Sequence, residues 1–189
     1  MVFIGDPLTG CGMTVGTAGL FPEGPDVQER ILTGSADKPE LIDELLTVIG
    51  DQDESRALLC QKAGLMADEM LENALYAAPR DSSGACLFSK GHPRRLLPME
   101  QIRLRYSYDG ARLALEVRDS WGTLTAAQVF SFLAINTATA APDPERAGRG
   151  LFFMWRLLDQ FYVNIRPGRE TVVGGCLQLR PAPVDATTP

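Results

Sequence analysis

Histidine is nearly missing from this chain: His92 is the only one among 189 residues. Cysteine is sparse, and Cys11, Cys60, Cys86 and Cys176 lie far apart with no C-x-x-C pair. Such spacing argues against a structural metal site and offers no disulfide framework, so reduced thiols in the cytoplasm are the expectation. No stretch approaches the ~20 consecutive apolar residues that cross a bilayer. The opening "MVFIGDPLTGCGMTVGTAGLFPEG" has no basic start followed by an apolar run, so no secretory signal is read there. Positive charge is also short, with 18 Lys and Arg against 24 Asp and Glu and a net charge of -6. Nucleic acid and anionic membrane are therefore not expected as main partners, because phosphate-rich surfaces recruit net positive charge.

What is present suits one globular domain. Hydrophobic residues make up 45% of the chain, enough for a sizeable core at this length. Residues 1–25 are rich in Gly, Thr and Pro and carry no sustained period. They read as an N-terminal extension, irregular or packed late on the body. Residues 26–183 carry the periodic segments, and 184–189 read as a flexible tail.

Within the body, "QERILTG" predicts a short strand. "SADKPELIDELLTVIG" predicts a helix, with Ser35 or Asp37 as its cap, Pro39 in the first turn and Gly50 at its end. A longer helix is expected from Glu54 to Ala78, stopped by Pro79. Residues 81–98 are a polar loop that holds His92, read as a surface residue rather than a phosphoacceptor. Asp-Gly at 109–110, between two alternating runs, predicts a hairpin. "TAAQVFSFLAI" predicts a helix capped by Thr125, the segment 136–150 a mobile loop, "LFFMWRLLDQ" another helix, and "FYVNIRP" and "TVVGGCLQLRP" a last pair of strands. Cys176, Phe152 and Trp155 read as packing residues. Helices segregated against a mixed, mostly antiparallel sheet give an α+β fold, a two-layer α/β sandwich with helices on one face.

Three short segments are candidates for chemistry. On the long helix, Leu59, Ala63, Met66, Met70, Ala74 and Ala77 form one apolar stripe. At ~100° per residue, Glu69 and Asn73 lie side by side along its border. A carboxylate there can accept a proton, and an amide oxygen can ligate a hard cation such as Mg2+. Alone, E-x-x-x-N is more often a solvated helix edge. Second, a strand ends at Asp119 before a turn with Gly122. An aspartate at the end of a buried strand is costly without a partner, and an adenine amino group is one such partner. Third, Gly148 and Gly150 precede a helix, where backbone N–H groups approached closely can cradle phosphate, with Arg149 adding charge.

Their order is the informative feature. E-x-x-x-N on a helix, D-x-x-G after a hairpin strand, G-x-G-L opening a helix and Thr171 on a final hairpin resemble the motif series of the GHKL (histidine-kinase-like) ATPases. The resemblance covers about residues 28–181 and is nearest to the small anti-sigma-factor serine-kinase-like ATP-binding domains. It implies a Bergerat-type ATP fold, ATP and Mg2+ as cofactors, and a protein partner, a regulator or sigma-factor-like protein, in bacterial signal transduction. By position it assigns Glu69 as general base, Asn73 as the Mg2+ ligand, Asp119 and Thr171 as adenine contacts with Gly122 beneath the base, and Gly148, Arg149, Gly150 and Leu151 to the phosphates. Relatives of that kind are often dimers, so a homodimer is an expectation of the resemblance too. The chain departs from the pattern in "DSWGT", where Trp121 and Thr123 replace glycines, and in "NALYAAP", which offers no basic residue just after the asparagine. Two functions follow: a serine/threonine protein kinase or ATPase of this superfamily, or a degenerate, non-catalytic interaction module that kept the fold and lost the site.

Overall fold

The computed structural model describes residues 2–4, 27–137 and 149–181, with residues 2–4, 135–137 and 149 described by backbone alone. Expectations for Gly148 and for most of the 136–150 loop, the N-terminal extension and the C-terminal tail lie outside the described residues.

The first strand, β1 (Val2–Ile4), comes from the segment in which the sequence shows no period. β2 (Gln28–Leu32) is followed by a 3-10 turn, Ser35–Asp37, and then by α1 (Lys38–Ile49), whose buried Leu41, Leu45 and Ile49 keep helical spacing. Gly50 closes α1 with φ 71° and an N–H that reaches back to Leu46 O at 2.9 Å. Neither expected side chain caps this helix. The Asp37 carboxylate turns back to Thr33 N (2.6 Å) and Gly34 N (3.2 Å), and Ser35 Oγ accepts from Arg94 N at 2.8 Å. Both residues therefore pin the entry loop rather than the helix start.

α2 (Glu54–Glu72) begins at Asp53, whose carboxylate accepts from Arg56 N at 2.9 Å. It was expected to run as one α-helix to Ala78, but its last turn, Asn73–Ala77, is a π-helix. Pro79 has no N–H to offer the carbonyl four residues back. That carbonyl, Leu75 O, accepts instead from Arg94 Nη1, and Ala78 N bonds Asn73 O at 2.8 Å. The widened turn follows from one missing donor and one buried guanidinium.

β3 (Ile102–Tyr108) and β4 (Arg112–Asp119) form the expected hairpin. Asp109 Oδ1 accepts from Ala111 N and Arg112 N at 2.9 and 2.7 Å, and Gly110 takes φ 93°. α3 (Ala126–Thr137) starts with a reciprocal cap: Gln128 N donates to Thr125 Oγ1 (3.2 Å) and Thr125 N to Gln128 Oε1 (2.9 Å). α4 (Arg149–Leu157), β5 (Gln160–Arg166) and β6 (Glu170–Gln178) complete the described chain.

The strands make one six-stranded sheet in the order β1-β5-β6-β4-β3-β2. All five pairings are antiparallel, so the sheet is not mixed as expected. β3–β4 and β5–β6 are hairpins, and β2 pairs antiparallel with β3 after the chain has passed through α1 and α2. On β4, Leu113, Leu115 and Val117 join α2's Met66 and Met70 in the main core, and Asp119 continues their row. The intervening Ala114 packs with Cys176 on the other face, separate from that core. There Glu116 is fully buried, accepting from Arg105 Nη1 at 2.6 Å and from the Tyr162 hydroxyl. Helices on one face of an antiparallel sheet make a two-layer α+β sandwich. Among the described residues no helix is long and apolar enough to cross a membrane.

Candidate functional site

Between the helix layer and the ends of β4 and β6 lies a cavity of about 400 Å3, within the range of small-molecule sites. α2 and its π turn supply one wall, with Glu69, Met70, Asn73, Ala74, Ala77 and Ala78. β4 and β6 supply Val117, Asp119, Thr171 and Val173, and α4 supplies Gly150, Leu151 and Met154. α3 adds Gln128 and Phe132. Six of the residues singled out in the sequence therefore share one cavity: Glu69, Asn73, Asp119, Gly150, Leu151 and Thr171.

Asn73 opens the π turn, and its N–H donates to Glu69 O in the last α-helical turn, so the two side chains stay stacked as a four-residue spacing requires. Both are half-buried, whereas the apolar stripe beside them is buried down to Ala74. Ala77, expected at the end of that stripe, lines the cavity instead.

The start of α4 comes directly against this pair. A Cβ on Gly150 would lie 2.5 Å from Glu69 Oε2 and 3.2 Å from Asn73 Nδ2. Without a side chain, Gly150 lets the first turn of α4 approach the carboxylate and amide this closely while both keep these positions. Arg149 stands in that first turn of α4. Leu151 is buried in both the core and the cavity wall.

At the sheet end, Asp119 and Thr171 are cross-strand partners. Asp119 is buried, and its Oδ1 accepts from Trp121 N at 2.8 Å and Gly122 N at 3.4 Å. Burial outweighs those amide bonds and pushes its carboxyl up to about 6. Among the described residues the buried Thr171 hydroxyl has no hydrogen-bond partner. A buried hydroxyl that faces a cavity can be met there by water or by a ligand. The Asp119–Thr171 pair presents a carboxyl and a hydroxyl to the same space.

Gly122 has a different place from the one expected beneath a base. It is not in the cavity wall. It adopts φ 59°, and a Cβ on it would lie 2.3 Å from Arg166 O and 2.7 Å from Arg169 N in the β5–β6 turn. Its O accepts from Gly168 N at 3.0 Å. Gly122 serves the site through the Asp119 carboxylate and the packing of two hairpin ends. Gly122→Ala meets both the wrong φ and backbone atoms that cannot give way, so a loss of about 3 kcal/mol or more is expected in urea unfolding.

Trp121, one of the two residues that depart from the glycine pattern, is also absent from the cavity wall. Its ring lies 5.8 Å from the Arg94 guanidinium, which itself sits 3.9 Å over the Phe88 ring. Arg94 Nη2 holds Glu100 at 2.7 Å, a buried ion pair. Thr123, the other residue in a glycine's place, donates its hydroxyl to Ala78 O at 2.5 Å and so ties the exit of β4 to the π turn. Trp121 and Thr123 thus anchor the segment between α2 and β3.

That segment carries the site residues the sequence did not reveal. Arg80, Cys86 and Lys90 line the cavity. Asp81 folds the stretch by accepting from Ser83 N and Ala85 N (2.8 and 3.0 Å), and Arg80 and Cys86 form a one-residue β-bridge. The sequence signal for it was the Asp-Ser-Ser-Gly turn alone, which says that the chain folds back but not toward which wall. Two cations and two carboxyl groups therefore line the cavity from its described side chains. His92 is exposed; its carbonyl accepts from the Tyr76 hydroxyl at 2.7 Å and its N–H donates to Ser89 O at 3.4 Å.

The donor set fits a nucleotide with a hard cation. Asn73 and Glu69 offer oxygen ligands, and Mg2+ takes one or two such protein ligands and completes its shell with phosphate and water. The glycine-lined helix start suits phosphate, and the carboxyl–hydroxyl pair suits a base with an amino group. No group of three or more His, Cys, Asp or Glu able to hold a metal without a substrate occurs among the described residues. Neither any known protein-family model nor any curated protein sequence matches this chain.

Proposed function

We propose that the chain is an ATP- and Mg2+-binding regulatory domain of the GHKL type that transfers the γ-phosphoryl group to a serine or threonine of a protein partner. The observation that carries the reading is the meeting of Glu69 and Asn73, Gly150, and Asp119 with Thr171 around one cavity. Three segments far apart in sequence converge there, which supports the reading.

In this reading the adenine amino group donates to the ionised Asp119, and Thr171 gains the partner it lacks. Asn73 would hold Mg2+, which would supply charge neutralisation to the phosphates, and the N–H groups at the start of α4 would hold the transferring group. The acceptor hydroxyl oxygen attacks phosphorus, the bond to the β–γ bridging oxygen breaks, and ADP leaves with that electron pair. Glu69 takes the hydroxyl proton. Arg80 and Lys90 offset the negative charge in place of the basic residue absent after Asn73.

The alternative, a non-catalytic interaction module, draws on the replaced glycines. With Trp121 engaged by Arg94 and outside the cavity wall, that ground is weaker.

Calorimetric titration of the full chain with ATP, with and without Mg2+, tests the binding step. Heat that depends on Mg2+, with stabilisation of about 2.7 kcal/mol at a concentration near 100 Kd, is expected. Absence of both heat and thermal shift overturns the reading. Thr171→Val adds a sharper arm. It removes a partnerless buried hydroxyl, so stability should hold or rise slightly, while ATP affinity falls about 5- to 10-fold through one lost hydrogen bond.

A further inference from the structure

The segment between α2 and β3 is tightly fixed, yet it turns apolar side chains outward. Arg94 is the centre: Phe88 covers its guanidinium, Glu100 pairs with it, and the second Glu100 oxygen accepts from Leu97 N at 2.8 Å. The backbone is held as well, by Leu96 N to Thr33 O (2.8 Å), Ser35 N to Arg94 O (2.8 Å) and Leu87 N to Pro79 O (3.0 Å). Around this one ion pair, Leu87, Phe88, Leu97 and Met99 are exposed, Leu97 at 58% and Met99 at 78%. Scattered exposed apolar residues are ordinary. Four gathered on an ordered loop mark an interaction surface.

Its charge identifies the partner. Lys90 and Arg95 are exposed on the segment, whereas Glu100 is buried and already paired, and Asp81 is committed to its own turn. A basic, apolar patch on a chain of net charge -6 runs against the whole. We infer that this surface docks an acidic segment of a protein partner, with its apolar side chains against Leu87, Phe88, Leu97 and Met99 and its carboxylates against Arg95 and Lys90. Anionic membrane is the poorer occupant, because lipid recognition needs a cluster of about four to eight cations and the chain as a whole is acidic. The loop is already ordered, so docking loses little conformational entropy. Because Arg80, Cys86 and Lys90 of the same segment line the cavity, a docked chain would be held at the mouth of the proposed nucleotide site. The docking rests on the protein-partner part of the proposed function and does not require nucleotide.

Three fluorescent synthetic peptides test it by anisotropy without nucleotide: one alternating leucine and glutamate, one leucine and lysine, one serine and glutamate. The first should bind at least tenfold tighter than the other two. Leu97→Ser with Met99→Ser, and separately Arg95→Glu, should each weaken it at least tenfold at unchanged melting temperature. Should the double variant unfold, Arg95→Glu alone decides. Equal binding of the three, no binding below about 1 mM, or variants that bind as the parent overturn the inference. Co-sedimentation with phosphatidylserine vesicles lost in the same variants, or a parent dimer that Leu97→Ser with Met99→Ser makes monomeric, would equally overturn it in favour of a lipid surface or a second copy. ATP titration of Arg95→Glu, a residue outside the cavity wall, keeps a docking failure separate from a failure of nucleotide binding.

Discussion

Glu69→Gln is expected to slow ATP turnover by about 10²- to 10⁴-fold while leaving ATP affinity within about threefold, because general-base catalysis contributes on that scale and little to ground-state binding. The substitution keeps the shape of the side chain and its place against Gly150, and removes only the capacity to take a proton. The carboxylate is half-buried on the last α-helical turn of α2, one helical turn before Asn73, and its Oε2 faces the glycine that opens α4. In the proposed reading, a base in that position would stand between the cation ligand and the phosphate-binding amides. Single-turnover kinetics with labelled ATP, with affinity measured in parallel, separates the two effects. Turnover that survives intact removes Glu69 from the chemistry. A loss of affinity equal to the loss of rate would make it a binding residue instead.

Asp119→Asn has the second large effect, and its sign is opposite for stability and for binding. The Asp119 carboxyl titrates near 6 instead of 3.8 because burial disfavours its charge. A carboxyl whose pKa is raised on folding holds its proton more tightly in the native state. It therefore stabilises at low pH, and that stability is lost as pH rises from about 4 through about 6. Above about pH 7 the native protein carries the full cost of a buried charge, on the order of 3 kcal/mol for a shift of this size. Asparagine keeps an oxygen for the Trp121 and Gly122 amides without the charge. The variant should unfold about 1–3 kcal/mol later than the parent at pH 7.5 and at nearly the same point at about pH 3, below both pKa values. ATP affinity should fall about 10- to 100-fold, since a hydrogen bond to an ionised acceptor is lost. In the parent, affinity should weaken as pH drops below about 6, as the carboxylate takes up a proton. Unchanged stability at pH 7.5 would show that the carboxyl is not strained by burial. Stabilisation without loss of affinity would remove it from the nucleotide site.

A residue that costs stability and lines a cavity is the expected mark of function, and both traits were partly legible in the sequence. The alternating run ending at Asp119 placed a carboxyl at the buried end of a strand. The 3.6-residue stripe placed Glu69 and Asn73 at a helix border, and the glycine before α4 pointed to close approach. The hairpins were readable because Asp-Gly and strict alternation are local signals. What the sequence did not show depends on contacts between distant segments. The π turn needs Arg94 to take up the carbonyl that Pro79 leaves free, and nothing near residue 75 announces a guanidinium from residue 94. Trp121 is two residues from Asp119 in sequence, but a residue on a turn faces wherever its partner is, here Arg94. Gly122 has a positive φ and a crowded backbone, and residue type alone does not distinguish these from ligand approach. β1 has only three residues, too short for a period. Arg80, Cys86 and Lys90 reach the cavity only because the Asp81 turn folds their segment back on itself.

The structure of the full chain with Mg2+ and a non-hydrolysable ATP analogue tests the central claim most directly. The account predicts the adenine amino group within hydrogen-bond distance of Asp119, the Thr171 hydroxyl partnered by the base, Mg2+ on Asn73, and the phosphates at the N–H groups that begin α4 beside Gly150. An analogue bound elsewhere, or a cavity without it at saturating concentration, would contradict the account.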